Sequence, residues 1–328
     1  MPEVVILPIT YRCNAKCKMC GIGALNETKE LSLEKLKELF QDKLWKKSIR
    51  SVNITGGEPF MRRDISQIIE LLTLETENLS SLVINTNGIL TKRIIEELEK
   101  ILPILLDKEI STFIYISLDG IGKTHDLIRG VNGCFGIIEK TIDKLIELSK
   151  VWAFKIVLNC TITNYNYHEI KNVLAYARQH NIEINYTYAM ESEIYFQNSI
   201  TELRSDNKEG LINFLEELIH EERLNSLSVY YRGLIKMLQG HKRNMRCVLE
   251  NRGIFVHPTG DIYRCWVHEG KLGNLYEEKF EDIWKNGAER CPISDIIKSC
   301  ETCYNNCYQA YQVMNSVSRL WNALSQGG

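Results

Sequence analysis

The chain has 328 residues, of which 44% are hydrophobic and 25% are charged, and its formal net charge at pH 7 is -2. This balance is typical of a soluble globular protein and disfavours electrostatic binding to nucleic acid or to an anionic membrane. The longest apolar runs are much shorter than the ~18 residues of a membrane span. The N-terminus lacks the basic start and cleavage site of a signal peptide. We therefore expect a cytoplasmic protein with no membrane or nucleic-acid partner.

Six β-branched segments alternate with amphipathic segments in the first two thirds of the chain, a pattern that predicts parallel strands joined by helices. The predicted strands are Val4–Thr10, Ser51–Thr55, Leu82–Thr86, Thr112–Leu118, Phe154–Ile162 and Ile182–Tyr188. The predicted helices are Leu33–Trp45, Ile65–Leu74, Lys92–Leu102, Ile137–Leu148 and Glu169–Gln179. Right-handed crossovers between such strands give an α/β fold, a partial (β/α)6 TIM-like barrel with a small C-terminal cysteine-rich α+β domain. We place the domains at residues 1–228 and 229–328.

From Ala189 onward the sequence no longer alternates between predicted strands and helices. The segment Ala189–Ser205 lacks periodicity, and we predict a loop over the barrel mouth. Beyond it the pattern predicts two helices at Leu211–Ile219 and Val229–Leu238, a hairpin of Gly253–His257 with Asp261–Cys265, and a helix at Glu277–Lys285. Gly287 is predicted to end that last helix as its C-cap.

Polar and glycine-rich elements follow the predicted strands, and in a parallel sheet such positions meet on one rim. In strand order they are Cys13, Cys17 and Cys20, then Gly56-Gly57-Glu58-Pro59, Asn87-Gly88, Ser117-Leu118-Asp119-Gly120, and Asn159. The glycine pair allows a ligand to approach the backbone closely, although a simple turn is the alternative. The coincidence of these elements predicts a functional site on this rim.

The chain contains 11 cysteines, and in a reducing compartment clustered thiols indicate metal ligands. Cys13, Cys17 and Cys20 are too few to saturate a tetrahedral zinc ion or a four-iron cluster. A [4Fe–4S] cluster held by three cysteines leaves one iron open for an exogenous ligand. A structural zinc site with a distant fourth ligand is the alternative.

The Cx3Cx2C loop after the first strand and the Gly56-Gly57-Glu58-Pro59 turn after the second resemble the radical SAM superfamily. The residue before the third cysteine is usually aromatic in that family, and here it is Met19. The resemblance implies a [4Fe–4S] cluster on the three cysteines, and S-adenosylmethionine (SAM) on the open iron and the glycine turn. It also implies reductive cleavage of SAM to a 5′-deoxyadenosyl radical that abstracts a substrate hydrogen atom. Such enzymes need a reducing partner, for example flavodoxin or ferredoxin.

The resemblance extends to further SAM contacts. Ser117 and Asp119 occupy positions that contact the ribose or carboxylate of SAM in related enzymes, and Arg129 resembles a carboxylate-binding arginine. A guanidinium suits that role because it binds a carboxylate at two points, although a solvated surface charge is the alternative. For Asn159, a SAM contact and a satisfied interior amide both remain open.

A second cysteine set, C-x12-G-x4-C followed by C-x2-C-x3-C, resembles the auxiliary-cluster domain of SPASM and twitch radical SAM enzymes. The full SPASM pattern has seven cysteines, so the five here predict one auxiliary [4Fe–4S] cluster, with zinc as the alternative. We predict Cys247, Cys265, Cys300 and Cys303 as its ligands and Cys307 as a spare thiol. Helical continuation would also let Cys307 displace Cys300, and a free Cys307 thiol would serve as a hydrogen donor. The remaining cysteines Cys134, Cys160 and Cys291 are predicted to be structural.

The resemblance to these enzymes implies two candidate functions, and a third comes from another class of protein. The first is oxidation, epimerisation or rearrangement of a small polar molecule such as a sugar or cyclitol by a radical SAM oxidoreductase or isomerase. The second is maturation or epimerisation of a ribosomally made peptide. Because the first strand begins near residue 4, we expect no N-terminal peptide-recognition domain, which favours the small molecule. The third is a non-catalytic iron–sulfur carrier, which would have no need of the glycine turn.

Overall fold

The structure of the protein is a computed structural model. It describes residues 1–25, 29–192, 194–196, 198, 203–204, 207–221, 226–243, 247, 249, 252–267, 270–292, 300–301 and 303–304. Cys307, predicted as a spare thiol and hydrogen donor, lies outside the described residues.

Six parallel strands form the centre of the fold, and all six were predicted to within one or two residues. They are β1 (Val4–Thr10), β2 (Ser51–Gly56), β3 (Ser81–Thr86), β4 (Ser111–Ser117), β5 (Lys155–Ile162) and β6 (Glu183–Tyr188). Successive strands pair in parallel, as βαβ crossovers require. Every residue of β1 is buried, which explains the apolar run from Val4 to Ile9, because a central parallel strand is covered on both faces. The predicted α/β class is confirmed.

Helices lie between successive strands, and in the described residues two further helices come next after the sixth strand. They are α1 (Leu33–Gln41), α2 (Lys43–Ser48), α3 (Ile65–Glu75), α4 (Thr91–Asp107), α5 (Lys123–Arg129), α6 (Cys134–Ser149), α7 (Ile170–Gln179), α8 (Lys208–Glu221) and α9 (Ser226–Leu238). The predicted helix Leu33–Trp45 is divided at Asp42, whose carboxylate accepts hydrogen bonds from the N–H groups of Leu44 and Trp45 and so caps α2. The seven-residue α5 was not predicted.

The C-terminal region extends the same sheet. Strands β7 (Gly253–Val256), β8 (Asp261–Tyr263) and β9 (Lys271–Asn274) precede α10 (Phe280–Arg290). The sheet order is β6-β5-β4-β3-β2-β1-β7-β8-β9, and β7 pairs in parallel with β1. The predicted hairpin is confirmed as β7–β8. The predicted C-cap at Gly287 is wrong, because α10 continues to Arg290 and Gly287 packs closely against Leu272.

Two apolar clusters fill the described interior. The larger lies between the strands and the helices around them, and the smaller surrounds the barrel mouth, where Met19 and Tyr195 meet Phe255 and Trp266. The C-terminal region therefore packs directly onto the rim where the predicted site lies. Among the described residues, no helix is long and apolar enough to cross a membrane.

Candidate SAM and iron–sulfur site

A cavity of 310 Å³ opens at the carboxyl ends of the parallel strands, where the sequence placed the site. Its lining includes Arg129 and most of the polar residues predicted on the rim, namely Cys13, Cys17, Cys20, Gly56, Gly57, Asn87, Ser117 and Asn159. Glu58, Pro59 and Asp119 are buried behind this lining. The residues predicted on the rim therefore surround one cavity, some as its lining and others buried behind that lining.

The loop that carries the three cysteines is fastened to the end of α5. The backbone N–H groups of Lys16 and Lys18 donate to the carbonyl oxygens of Arg129 and Ile128, each at 2.9 Å. Gly130 follows with φ +67°, and a Cβ there would lie 2.5 Å from the Lys16 carbonyl oxygen. The close contact therefore requires glycine both for its conformation and for its lack of a side chain.

Arg129 connects this loop to β4. Its guanidinium donates from Nη1 to Cys17 Sγ at 3.5 Å, and its Nη2 forms an ion pair with Asp119 Oδ2 at 2.6 Å. Asp119 is fully buried, and its Oδ1 accepts a hydrogen bond from the Thr161 N–H at 2.8 Å. Arg129 itself is 7% exposed, so the alternative of a solvated surface charge is excluded. Burial disfavours its charge, but Asp119 and Cys17 hold the pKa of Arg129 above its ordinary value.

The Cys13 and Cys20 thiols must lose their protons to bind a cluster, because the pKa of each is raised. Burial raises the pKa of Cys13 to about 11 and that of Cys20 to about 12, and the neighbouring Cys17 raises the pKa of both further. Binding of iron as thiolates therefore releases protons from this loop. Asn87, at the end of β3, donates from Nδ2 to Asn14 Oδ1 at 2.7 Å and lies 3.9 Å from Cys13 Sγ. The sequence had marked Asn87 on the rim without giving it a role.

The glycine turn after β2 lies against the start of the cluster loop. Gly57 N–H donates to the Thr10 carbonyl at 2.8 Å, and Glu58 N–H donates to the Arg12 carbonyl at 2.9 Å. A Cβ on Gly56 would lie 2.1 Å from the Thr10 oxygen, and a Cβ on Gly57 would lie 2.3 Å from the Arg12 oxygen. The protein's own backbone thus excludes side chains here, whatever ligand the cavity holds.

Glu58 joins the ends of β2 and β3 below the cavity. Its Oε1 accepts from Phe60 N–H at 3.1 Å and from Thr86 Oγ1 at 2.9 Å, and its Oε2 accepts from Asn87 N–H at 2.7 Å. The side chain is completely buried, and burial raises its pKa to about 7 despite these donors. Glu58 therefore acts on the cavity through the backbone that it holds.

The segment after β6 connects three parts of the site. Tyr195 is hydrogen-bonded to Thr55 Oγ1 at 2.8 Å and to the Gly56 carbonyl at 3.1 Å. Asn198 Nδ2 donates to the Met19 carbonyl at 2.7 Å, and Ser192 Oγ donates to the Trp266 carbonyl. Within the described part of the predicted loop, Ser192, Tyr195 and Asn198 thus tie the glycine turn and the cluster loop to the C-terminal region. Its lack of periodicity gave no signal for these roles.

The second cysteine set lies beside the same mouth. Cys247, Cys265 and Cys303 pack against the smaller apolar cluster, whereas Cys300 packs against the larger one. Cys265 Sγ accepts a hydrogen bond from the Val267 N–H at 3.3 Å. Within the described residues, no three His, Cys, Asp or Glu side chains have the geometry for a single metal ion. Cys134, Cys160 and Cys291 are buried elsewhere.

Comparison with known proteins assigns the family. The Radical SAM superfamily profile matches residues 7–177, more than half of the chain. The chain belongs to the radical SAM superfamily. The SPASM profile, described as an iron–sulfur cluster-binding domain, matches residues 247–308. Membership implies a [4Fe–4S] cluster and SAM, and the donor set fits both, because three thiols and a buried guanidinium share one cavity. The two zinc alternatives are thereby set aside.

The proteins that are similar to this chain are named for different activities. The AdoMet-dependent heme synthase of Methanosarcina barkeri is 23% identical over 94% of this chain and 93% of its own length. The subtilosin biosynthesis protein AlbA of Bacillus subtilis is 24% identical over 92% of this chain and 67% of its own length. The structure of native anSMEcpe with bound AdoMet has a TM-score of 0.63 at 18% identity, covering 98% of this chain and 99% of its own, and it shares the fold.

We predict that Gly57→Val lowers both the iron content and the affinity for SAM, because the new side chain would displace the Arg12 carbonyl and the cluster loop with it. Iron analysis and equilibrium dialysis with SAM measure the two losses. Gly136→Val is the matched control, since a Cβ at Gly136 meets nothing within 4 Å. Retention of iron and SAM by Gly57→Val would contradict this account of the turn.

Glu58 gives a pH prediction. Its pKa rises from the ordinary 4.5 to about 7 on folding, so its contribution to stability is complete below pH 4.5 and declines as the pH rises through 7. The free energy of unfolding of the wild type, relative to Glu58→Gln, should therefore fall by about 2–3 kcal/mol between pH 5 and pH 8. Urea unfolding at the two pH values measures it. An equal difference at both would show that Glu58 is ionised as easily in the folded chain as in the unfolded one.

Proposed function

We propose that this protein cleaves SAM reductively and uses the resulting radical to abstract a hydrogen atom from a substrate in the barrel. The observation that carries the proposal is the single cavity lined by Cys13, Cys17, Cys20 and the buried Arg129. When bound there, the cluster and SAM supply the chemistry: one electron from a flavodoxin or ferredoxin-type reductant yields methionine and a 5′-deoxyadenosyl radical, which becomes 5′-deoxyadenosine by taking a substrate hydrogen atom.

The chain's own residues would bind and orient these groups. The three thiolates would hold three irons of a cluster, and the fourth iron would be left for the methionine portion of SAM. Arg129, fixed by Asp119, offers a cation to the SAM carboxylate, and the Gly56 and Gly57 backbone offers acceptors to its amino group. Ser117 and Asn159 line the cavity within the barrel, where they would contact the ribose. The buried thioether of Met19 takes the place of the usual aromatic residue beside the adenine.

We further propose one auxiliary [4Fe–4S] cluster on Cys247, Cys265, Cys300 and Cys303. Three of these thiols pack against the apolar cluster at the barrel mouth, so an electron would have a short path between this cluster and the substrate. An auxiliary cluster in that place suits a reaction in which the substrate radical is oxidised.

The substrate that we propose is a small polar molecule that is oxidised, epimerised or rearranged. Peptide maturation is the second candidate, supported by the similarity to AlbA over 92% of this chain. A non-catalytic carrier role is not favoured, because a carrier has no use for a cavity beside the thiols.

Simultaneous replacement of Cys13, Cys17 and Cys20 by Ala should remove about four irons per chain and abolish the release of 5′-deoxyadenosine from SAM with dithionite. The fold should persist, since the barrel core is built from other residues, and circular dichroism checks this. The matched control is Cys134→Ala together with Cys160→Ala, two buried thiols away from the cavity lining. Reductive cleavage by the triple variant would refute the proposed function.

The auxiliary ligand set is tested by single Ala substitutions. Cys247→Ala, Cys265→Ala, Cys300→Ala and Cys303→Ala should each lose the second cluster, whereas Cys307→Ala should keep it, as iron content and Mössbauer spectra would show. If Cys307→Ala loses the cluster and Cys300→Ala keeps it, Cys307 is the ligand and Cys300 is the spare thiol. The packing of Cys300 against the larger apolar cluster makes this comparison the most informative one.

A further inference from the structure

Asp119 is held through its backbone as well as through its carboxylate. Its Oδ1 accepts from the Thr161 N–H, and its Oδ2 forms the ion pair with Arg129. Its carbonyl oxygen accepts a hydrogen bond from Asn166 Nδ2 at 2.8 Å, and its own N–H donates to His125 Nδ1 at 3.1 Å. Each of the four polar atoms of Asp119 therefore has a partner. The sequence pattern predicted no role for His125 or for Asn166.

The N–H of Asp119 needs a side-chain acceptor because it lies beyond the end of β4. The strand ends at Ser117, so this N–H takes its acceptor from a side chain instead of from a neighbouring strand, and a buried N–H without an acceptor is costly. Gly120 lets α5 come close to this point. A Cβ there would lie 2.9 Å from the Thr124 side chain and 3.2 Å from the backbone nitrogen of His125. The imidazole therefore reaches the end of the strand from α5.

His125 has the protonation state that this hydrogen bond requires. A backbone N–H can only donate, so Nδ1 is the unprotonated nitrogen of the ring and Nε2 carries the hydrogen. Burial and the charge of Arg129 lower the pKa of His125 to about 3, which keeps the ring neutral. A neutral ring accepts from Asp119 without adding a second cation beside Arg129.

Packing alone does not account for a histidine at this position. The His125 side chain is completely buried, and its Nε2 has no hydrogen-bond partner among the described residues. A buried donor without an acceptor is unfavourable, and an apolar side chain would fill the same volume without that cost. The Nδ1 acceptor is therefore the feature of His125 that this part of the structure uses.

His125 and Arg129 hold the same aspartate from one helix. They are four residues apart in α5, a spacing that brings side chains to one face. His125 binds the backbone of Asp119, and Arg129 binds its carboxylate. The guanidinium is oriented by Asp119 and by Cys17, since its Nε has no partner within the described residues. A shift of Asp119 would therefore turn the guanidinium.

We propose that His125 is a positioning residue that, through Asp119, directs the Arg129 guanidinium toward the SAM carboxylate. This inference rests on the proposed function and adds a residue to that same site. Loss of the Nδ1 acceptor would let the end of β4 shift and Arg129 with it. The cluster loop would keep its place, because it is bonded to the backbone of α5 as well. SAM would then bind more weakly to a complete cluster.

The test compares three variants of the anaerobic holoenzyme by iron analysis and by equilibrium dialysis with SAM. His125→Leu removes the acceptor, His125→Asn places an amide oxygen where Nδ1 lies, and His125→Gln places its amide farther out, where Nε2 lies. His125→Leu and His125→Gln should raise the dissociation constant of SAM at least fivefold at full iron content. His125→Asn should stay within twofold of the wild type. His220→Leu, at an exposed position of α8, is the matched control.

Two further measurements separate positioning from a purely structural role. In the Arg129→Gln background, His125→Leu should change the dissociation constant of SAM less than twofold, because both changes act on the same contact. With dithionite as reductant, His125→Leu should raise the KM for SAM and leave kcat within twofold. Partial loss of folded enzyme would instead lower kcat and leave KM unchanged.

The proposal is overturned by wild-type affinity in His125→Leu, by equal weakening in His125→Asn and His125→Gln, or by a full additional loss in the Arg129→Gln background. A fall in kcat at unchanged KM, or loss of iron in all three variants, overturns it as well, because His125 would then be structural. If the wild type releases 5′-deoxyadenosine with dithionite, these outcomes refute the role of His125 alone. Absence of that release from the wild type would refute the proposed function.

Discussion

The site depends on the attachment of a short cysteine loop to the end of α5. A loop that gathers three thiols has little regular structure of its own, and the thiols must lose their protons close together when iron binds. Two backbone hydrogen bonds, the glycine contact at Gly130 and the guanidinium of Arg129 hold it in place. Asp119 anchors that guanidinium to β4 and provides the counter-charge that lets it be buried. Loop, helix and strand therefore form one unit.

The cavity is built in two layers with different chemistry. At the rim, thiols, Arg129 and the glycine turn provide charge and open backbone. Below the rim, amides and hydroxyls of the strands provide neutral hydrogen-bonding groups. The hairpin and Trp266 of the C-terminal region cover the mouth through the β1–β7 pairing and the contacts of Tyr195. This arrangement packs cysteines of both sets, Cys17, Cys20, Cys247, Cys265 and Cys303, around one apolar cluster.

The sequence predicted the strands and the rim because both depend on local signals, namely β-branched runs and the residues that follow them. It missed features that depend on tertiary contacts. Asp42 interrupts an amphipathic pattern that continues across it, so the break between α1 and α2 has no periodic signal. Gly287 looked like a C-cap but is needed for packing against Leu272. The sequence motif does not show whether the Glu58 carboxylate faces a ligand or the protein backbone. The structure shows that it accepts hydrogen bonds from Phe60, Thr86 and Asn87.

The central claim is that the cluster loop, Arg129 and the glycine turn form one SAM site. Electron-nuclear double resonance on the reduced holoenzyme tests it directly, with SAM labelled by ¹⁵N at the amino group and by ¹⁷O at the carboxylate. The account predicts hyperfine coupling of both labels to the cluster, and loss or change of the ¹⁷O coupling in Arg129→Gln. A cluster of full iron content that shows no coupling to either label would contradict it.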